Sequence, residues 1–167
     1  MTFILSSERA EDPRFGTSCF ARYQEYLRAN QERFPLFAYE LATADWYYSL
    51  SDPRGPHDGR LEGARIVEAQ IDKPAGQRQV VLRVRLLNAY HDRHLEFTYS
   101  DVARYELHLS NGLSGHWDWR FDEFRLADDG RVIHEIEWWN SAETARCVIV
   151  AADVKLQSIP SPDGVNA

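Results

Sequence analysis

Cysteine is scarce in this chain of 167 residues, which contains only Cys19 and Cys147. They lie far apart and without the close spacing of metal-binding cysteine pairs, so neither a disulfide framework nor a cysteine metal site is indicated. A reducing compartment is therefore expected, and the predicted location is the cytoplasm. Cys147 lies in a stretch rich in Val and Ile, which predicts a core residue rather than a nucleophile.

Long apolar runs are missing too. No run approaches the ~20 residues that a helix needs to span a bilayer. The opening MTFILSSERAED has a very short apolar run and no basic lead, which is not the pattern of a signal peptide. The sequence therefore predicts a soluble protein without a membrane anchor.

Positive charge is in the minority. The chain has 19 Lys and Arg against 26 Asp and Glu, a formal net charge of -7. Binding to the phosphates of nucleic acid needs clustered Lys and Arg, so a nucleic-acid partner is not expected. An acidic surface suits a basic partner, or simply solubility.

Familiar catalytic motifs are also absent. The sequence contains no GxSxG, no HExxH and no Gly-rich phosphate loop. It therefore predicts a protein that is not an enzyme and needs no cofactor.

What the chain does contain is an ordinary globular composition, with 44% hydrophobic and 13% aromatic residues. The patterning predicts one α+β domain, in which an N-terminal helical pair packs on an antiparallel β-sandwich or half-barrel of about seven strands. An extended lead-in is expected over 1–16, helices over 17–48, antiparallel strands over 60–156 and a flexible tail over 157–167. Pro35 ends the first helix and opens the second.

Each predicted helix carries an apolar stripe at helical spacing. The stripes consist of Phe20, Tyr23 and Leu27 in the first helix, and Leu36, Tyr39, Thr43 and Trp46 in the second. Beyond the loop SLSDPRGPHDGR, seven alternating stretches separated by turns predict a meander. ADDGR contains the Asp-Gly pair of a tight hairpin.

The hairpin about ADDGR is the most unusual stretch, GHWDWRFDEFRLADDGRVIHEIEWW. Strict alternation mixes apolar and charged side chains on both faces of each strand. Burial is therefore expected to change along the hairpin, and a β-bulge would exchange the faces midway.

Three hypotheses compete for this hairpin. A metal site would use Asp118, Asp122 and His134, with His116 or the His91 and His94 of HDRH as further ligands. An acid–base site would pair Asp122 with Glu123 or Glu135, one carboxyl having its pKa raised by burial. No fixed ligand spacing supports the metal hypothesis, and salt bridges explain paired carboxylates equally well.

The third hypothesis is a partner-binding surface. Residues 116–154 carry nine acids and four arginines, so 9 − 4 leaves -5 of the net -7 there, together with four of the five Trp residues. Trp anchors ringed by acids suit an interface with a basic protein. The predicted partner-binding residues are Trp117, Asp118, Trp119, Asp122, Glu123, Asp128, Asp129, Glu135, Glu137, Trp138 and Trp139. The alternative is that the Trp side chains fill the core and the acids face water.

The stretches LRVRLLNAYHDRHLEFTYSDVARYEL, GHWDWRFDEFRL and GRVIHEIEWWNSAETARCVIVAADVKL resemble a family of small acidic bacterial proteins, over residues 46–156. That family is similar in character to the immunity proteins encoded beside polymorphic toxins. Where its pattern has SLHDAWL, this chain keeps His57 and Asp58 but has Gly59 and Arg60 in place of Ala and Trp. The resemblance implies no active-site residue.

The expected function is that of a cytoplasmic immunity protein, which neutralises a basic toxin by occluding its site. One alternative is a metal-dependent hydrolase or small-ligand-binding protein. Another is a homo-oligomeric accessory protein, with the Trp-rich strands buried in a homodimer.

Overall fold

The computed structural model describes residues 2–7, 9, 17–70, 78–107, 117–141 and 143–161. Within these residues, two α-helices precede eight β-strands, so the α+β prediction is confirmed. Helix α1 spans Thr17–Ala29, a 3₁₀ turn spans Gln31–Arg33, and α2 spans Leu36–Thr43. Within the described residues, no helix has the length and apolar character to cross a membrane.

The apolar stripe of α1 is largely as predicted, because Tyr23 and Leu27 are buried. The stripe predicted for α2 is half right, because Tyr39 and Trp46 pack against the core but Leu36 and Thr43 are exposed. The fully buried side chains of α2 are instead Ala38, Leu41 and Ala42. The helix is shorter than predicted, and the last strand of the sheet fixes its orientation. The carboxylate of Asp153 in that strand accepts hydrogen bonds from the backbone N–H groups of Phe37 (3.2 Å) and Ala38 (2.9 Å).

All eight strands belong to one antiparallel sheet, in the order β4-β7-β6-β5-β1-β2-β3-β8. Their bounds are Arg60–Gln70 (β1), Arg78–Leu87 (β2), Arg93–Ser100 (β3), Arg104–Leu107 (β4), Asp118–Leu126 (β5), Val132–Trp139 (β6), Thr144–Ala151 (β7) and Asp153–Pro160 (β8). The predicted last strand, 144–156, is therefore two strands. Residues 157–160, expected in the flexible tail, complete β8, and 162–167 lie outside the described residues.

The predicted single meander holds only in two parts, β1-β2-β3 and β5-β6-β7. β4 pairs with β7 rather than β3, and β5 joins β1 through one residue pair, Arg60 with Asp118. The chain changes partner at Ala152, between β7 and β8, where its backbone N–H donates to the Ser100 carbonyl at 2.9 Å. This step carries one continuous segment from one half of the sheet to the other.

The ADDGR hairpin and its bulge are both present. Gly130 has φ of 83°, the left-handed conformation that glycine adopts without strain. β5 and β6 pair as Trp119 with Trp138 and then Phe121 with Glu137, so Arg120 is the extra residue of a bulge. The predicted exchange of faces within the hairpin is therefore confirmed.

The N-terminal segment differs from the extended lead-in that was expected. Phe3, Ile4 and Leu5 are buried, and the N–H of Ser6 closes a turn onto the carbonyl of Phe3 at 3.2 Å. Phe3 and Ile4 belong to the hydrophobic core cluster. The remainder of the expected lead-in, residues 1, 8 and 10–16, lies outside the described residues.

Candidate functional site

The Trp side chains of the hairpin are mainly core residues. Trp117, Trp119 and Trp138 are 7%, 0% and 1% exposed, and Trp139 is half-buried. Trp119 stacks on Phe97 with ring centroids 4.8 Å apart and meets Trp138 edge-on at 5.2 Å. The alternative in which these residues fill the core therefore describes their placement better than a ring of surface anchors.

Most of the hairpin acids predicted to bind a partner are also buried. Glu123, Glu135 and Glu137 share one face of β5 and β6, and each lies against an arginine. Arg125 forms ion pairs with Glu123 (2.9 Å) and with Glu135. Their charge is therefore largely matched inside the protein, because buried carboxylates need partners.

Two more arginines complete this ion-pair network from distant parts of the chain. Arg146 on β7 lies 2.9 Å from Glu135 and donates to the Leu5 carbonyl at 2.6 Å. Arg9 binds Glu137 at 2.7 Å. Among the predicted partner-binding residues, Asp128 and Asp129 in the turn are exposed, and Asp118 is half-buried.

Asp122 occupies the opposite face of β5, which the bulge turns toward the core. Its carboxylate accepts hydrogen bonds from the Tyr47 hydroxyl (3.0 Å), Trp119 Nε1 (3.0 Å) and His134 Nε2 (2.9 Å). The Tyr99 hydroxyl lies 2.7 Å from Nδ1 of the same imidazole. We refer to Asp122, Tyr47, Trp119, His134 and Tyr99 as the buried polar cluster.

Burial and the charge of Asp122 determine the protonation states of His134, Tyr47 and Tyr99 in the buried polar cluster. Burial lowers the pKa of His134 below its ordinary value of 6.5, although the hydrogen bond to Asp122 opposes the shift. Burial, reinforced by the charge of Asp122, raises the pKa of Tyr47 and of Tyr99 well above 10.0. At neutral pH the imidazole is therefore neutral, donates through Nε2–H to Asp122 and accepts at Nδ1 from the Tyr99 hydroxyl.

Helix α1 covers the edge of β5 that faces away from β6, where Asp118 alone pairs with another described strand. The Tyr23 hydroxyl accepts from the Phe124 N–H at 2.7 Å and donates to the Phe124 carbonyl at 3.1 Å. The Tyr26 hydroxyl accepts from the Leu126 N–H at 2.8 Å. The two tyrosines thus supply hydrogen bonds that a missing strand would have made.

A cavity of about 300 Å³ lies beside the bulge, between β5, the N-terminal segment, α1 and the loop after α2. Five aromatic side chains form part of its walls: Phe20, Tyr47, Tyr48, Trp119 and Phe121. Leu50, 63% exposed, is one of its more accessible lining residues. We call this the β5 cavity. Largely apolar concave sites of this size are typical of small-molecule binding.

Besides its two tyrosines, four lining residues of the β5 cavity are ionisable: Arg9, His57, Arg120 and Asp122. The Asp122 carboxylate already accepts three hydrogen bonds, so little capacity remains for a ligand. The Arg9 and Arg120 guanidinium carbons lie 4.0 Å and 5.7 Å from the centroid of the Phe121 ring. The polar groups left for a ligand are therefore mainly donors.

The proposed metal ligands come together only in part. Asp122 and His134 touch, but they do so as hydrogen-bonded members of the buried polar cluster. His94 lies 2.9 Å from Glu62, and His91 occupies an exposed turn with φ of 59°. No group of three or more potential metal ligands occurs in the described part of the chain, which excludes His116.

The acid–base hypothesis predicted a carboxyl with a raised pKa, and Glu123 has this property because of burial. Its carboxylate accepts from the backbone N–H groups of Phe3 (2.9 Å) and Leu5 (3.2 Å). Glu123 pairs directly with Glu135 across the strands, yet neither residue lines the β5 cavity. Their arrangement anchors the N-terminal segment.

The sequence did not indicate several residues of the β5 cavity and of the buried polar cluster, namely Tyr47, Tyr48, Tyr99 and Arg9. It also did not indicate that Arg120 faces the cavity. The sequence places the run ADWYY at the end of the second predicted helix, with Trp46 on its apolar stripe, whereas α2 ends at Thr43 and leaves the tyrosines in turns. The signal that was available is the mixed character of WDWRFDEF. Polar residues among aromatics in a strand indicated the bulge, beside which the cavity lies.

Comparisons with protein-family models, with curated proteins and with solved structures found no match.

Proposed function

We propose that this protein binds a small, largely apolar molecule in the β5 cavity. The observation that carries the proposal is the cavity itself, which has aromatic walls, a floor fixed by the buried polar cluster and donors near the Phe121 ring. Its walls come from the N-terminal segment, α1, a loop and β5, each held by hydrogen bonds or ion pairs. Such pre-organisation lowers the entropic cost of binding.

Binding without catalysis is favoured over an acid–base reaction. His134 is fully buried and does not line the β5 cavity. Asp122 does line it, but donors from Tyr47, Trp119 and His134 occupy its oxygens. A general base must reach the proton that it removes, so this arrangement suits a rigid wall better than a catalyst.

A fragment screen by two-dimensional ¹H–¹⁵N NMR tests the proposal. Aromatic fragments should shift the Trp119 indole N–H and the Arg120 and Phe121 amides in a saturable manner. Leu50→Ala should weaken binding about fivefold, since half-covering the three lost carbons removes roughly 1 kcal/mol. Leu36→Ala is the matched control, because Leu36 is equally exposed (62%) and lies outside the cavity. An absence of saturable shifts near the bulge would contradict the proposal.

Neutralisation of a basic toxin remains a second proposal, supported by the net charge of -7 and by the sequence resemblance. The buried acids of the hairpin cannot form an exposed toxin-binding surface. Asp128 and Asp129 are the hairpin acids that remain as exposed candidates for that surface. A pull-down at low and moderate salt, with Asp128→Lys/Asp129→Lys for comparison, distinguishes it from ligand binding. A cytoplasmic location and a homodimer also remain proposals. So does a sandwich or half-barrel, in which the change of strand partner at Ala152 turns one half of the sheet over the other.

A further inference from the structure

Arg120 differs from the other arginines around the hairpin. Arg125, Arg131 and Arg146 each lie against at least one carboxylate. Arg120 has no hydrogen bond or ion pair with any described residue, although it is half-buried. A partly desolvated guanidinium normally finds a carboxylate, a phosphate or a carbonyl. The five N–H donors of Arg120 are therefore available to a ligand.

Aromatic rings hold the Arg120 guanidinium without using those donors. Its central carbon lies 5.3 Å from the centroid of the Trp139 ring and 5.7 Å from that of Phe121. Contacts of this kind act through the face of the guanidinium and leave its N–H edges available. The bulge places this residue at the β5 cavity, which Arg120 lines.

A second guanidinium meets the same ring. The guanidinium carbon of Arg9 lies 4.0 Å from the centroid of the Phe121 ring. Its Nη2 donates a hydrogen bond to Glu137 Oε1 at 2.7 Å. Its Nη1 is buried and has no hydrogen-bond partner among the described residues. Since Arg9 also lines the β5 cavity, unused donors from two arginines lie near one aromatic wall.

The size of the cavity limits the apolar part of the ligand. An engineered protein cavity of about 150 Å³ accepts benzene. The β5 cavity, at about 300 Å³, has twice that volume, which suits a bicyclic ring with a short substituent. Phe20, Tyr48 and Trp119 provide ring faces and edges for such a group.

We propose that the ligand of the β5 cavity is a small aromatic carboxylate, whose ring packs among the aromatic walls and whose anionic group binds the donors of Arg120 and Arg9. This inference rests on the proposed function and adds the sign of the ligand's charge. A carboxylate matches the planar fork of a guanidinium, and Asp122, the acid among the described residues of the cavity wall, already accepts three hydrogen bonds.

Three probes with one ring and one chain length separate the charge from the ring: indole-3-acetate, indole-3-ethanol and tryptamine. Isothermal titration calorimetry at low salt should show about tenfold tighter binding of the acid than of the alcohol, the smaller end of the range for a charge-assisted hydrogen bond. The amine should bind most weakly. Arg120→Gln should remove most of the advantage of the acid, because Arg9 still contributes a donor, and should lower the affinity for the uncharged alcohol by a smaller factor.

Arg65→Gln is the matched control, because Arg65 is an exposed β1 arginine that makes the same change of charge away from the cavity. It should leave all three affinities unchanged. Equal affinities for acid and alcohol, or equal losses in the Arg120 and Arg65 variants, would overturn the inference while leaving a ligand-binding function intact. If none of the indoles binds while other fragments shift the Trp119 indole signal, the inference fails; if nothing binds, the proposed function fails as well.

Discussion

Replacing Asp122 with Asn tests whether the buried polar cluster stabilises the fold. The Asp122 carboxylate is 3% exposed and accepts from Tyr47 and His134 at Oδ2 and from Trp119 at Oδ1. An Asn side chain has the same shape but one acceptor oxygen and one donor group. Whichever way the amide is turned, at least one of the three donors faces an N–H group and loses its partner.

The expected cost is worked from that loss. The better orientation places the amide oxygen at the Oδ2 position, keeps Tyr47 and His134 bonded, and leaves the Trp119 N–H unsatisfied. One buried unsatisfied donor costs about 1–3 kcal/mol, and the two remaining hydrogen bonds lose the contribution of the charge. We therefore expect Asp122→Asn to lower the free energy of unfolding by about 2–4 kcal/mol, a large part of the ~5–15 kcal/mol of a typical domain.

Urea denaturation followed by Trp fluorescence measures this difference as a shift of the midpoint at constant slope. Asp128→Asn is the control, since Asp128 is an exposed carboxylate in the turn of the same hairpin. The control should change stability by no more than about 0.5 kcal/mol. If the two variants unfold at the same urea concentration, the three hydrogen bonds do not hold Asp122 as described.

Two further predictions concern the surroundings of Asp122. Burial lowers the pKa of His134, so below about pH 6.5 the unfolded chain takes up a proton that the folded chain does not. The free energy of unfolding is therefore highest above that pH. It decreases below it, by at most about 1.4 kcal/mol per pH unit. His134→Gln should remove this component between pH 7.5 and 5.5 in urea titrations, and an unchanged pH dependence would contradict a neutral buried imidazole. Tyr23→Phe leaves the backbone N–H and carbonyl groups of Phe124 without the Tyr23 hydroxyl. It should lower the free energy of unfolding by about 2–3 kcal/mol and speed amide exchange at Phe124. Tyr90→Phe, at an exposed tyrosine, should do neither.

Local signals predicted the elements of this fold well. Alternation marked the stretches that form β1 to β7 and the first half of β8, although it did not separate β7 from β8. Asp-Gly marked the β5–β6 hairpin, and Pro35 marked the boundary between the helices. These features depend on residues within a few positions of one another. The pairing of β4 with β7 does not, because Tyr105 and Ile149 are partners across more than forty residues of chain. Sequence order alone favoured the wrong neighbour, β3.

The burial of the hairpin acids was unpredictable for the same reason. Counting charge within 116–154 assumes that the segment forms a surface, but several of its acids are bonded to groups from distant parts of the chain. Arg9 reaches Glu137 from 128 positions away, and the backbone of Phe3 reaches Glu123 from 120. Only the folded N-terminal segment turns these acids into internal ion pairs and hydrogen-bond acceptors.

The bulge at Arg120 links the core to the candidate site. In a regular strand Trp119 and Asp122, three positions apart, point to opposite faces. The extra residue returns them to one face, where the Trp119 N–H donates to Asp122 at 3.0 Å. Beyond the bulge, β5 is covered on both sides, by the buried polar cluster on one and by the N-terminal segment on the other. At the bulge itself Arg120 and Phe121 are only half-buried, and the cavity lies there. The irregularity that completes the core therefore also leaves the Arg120 guanidinium with aromatic contacts but no carboxylate among the described residues, and the two properties are best explained together.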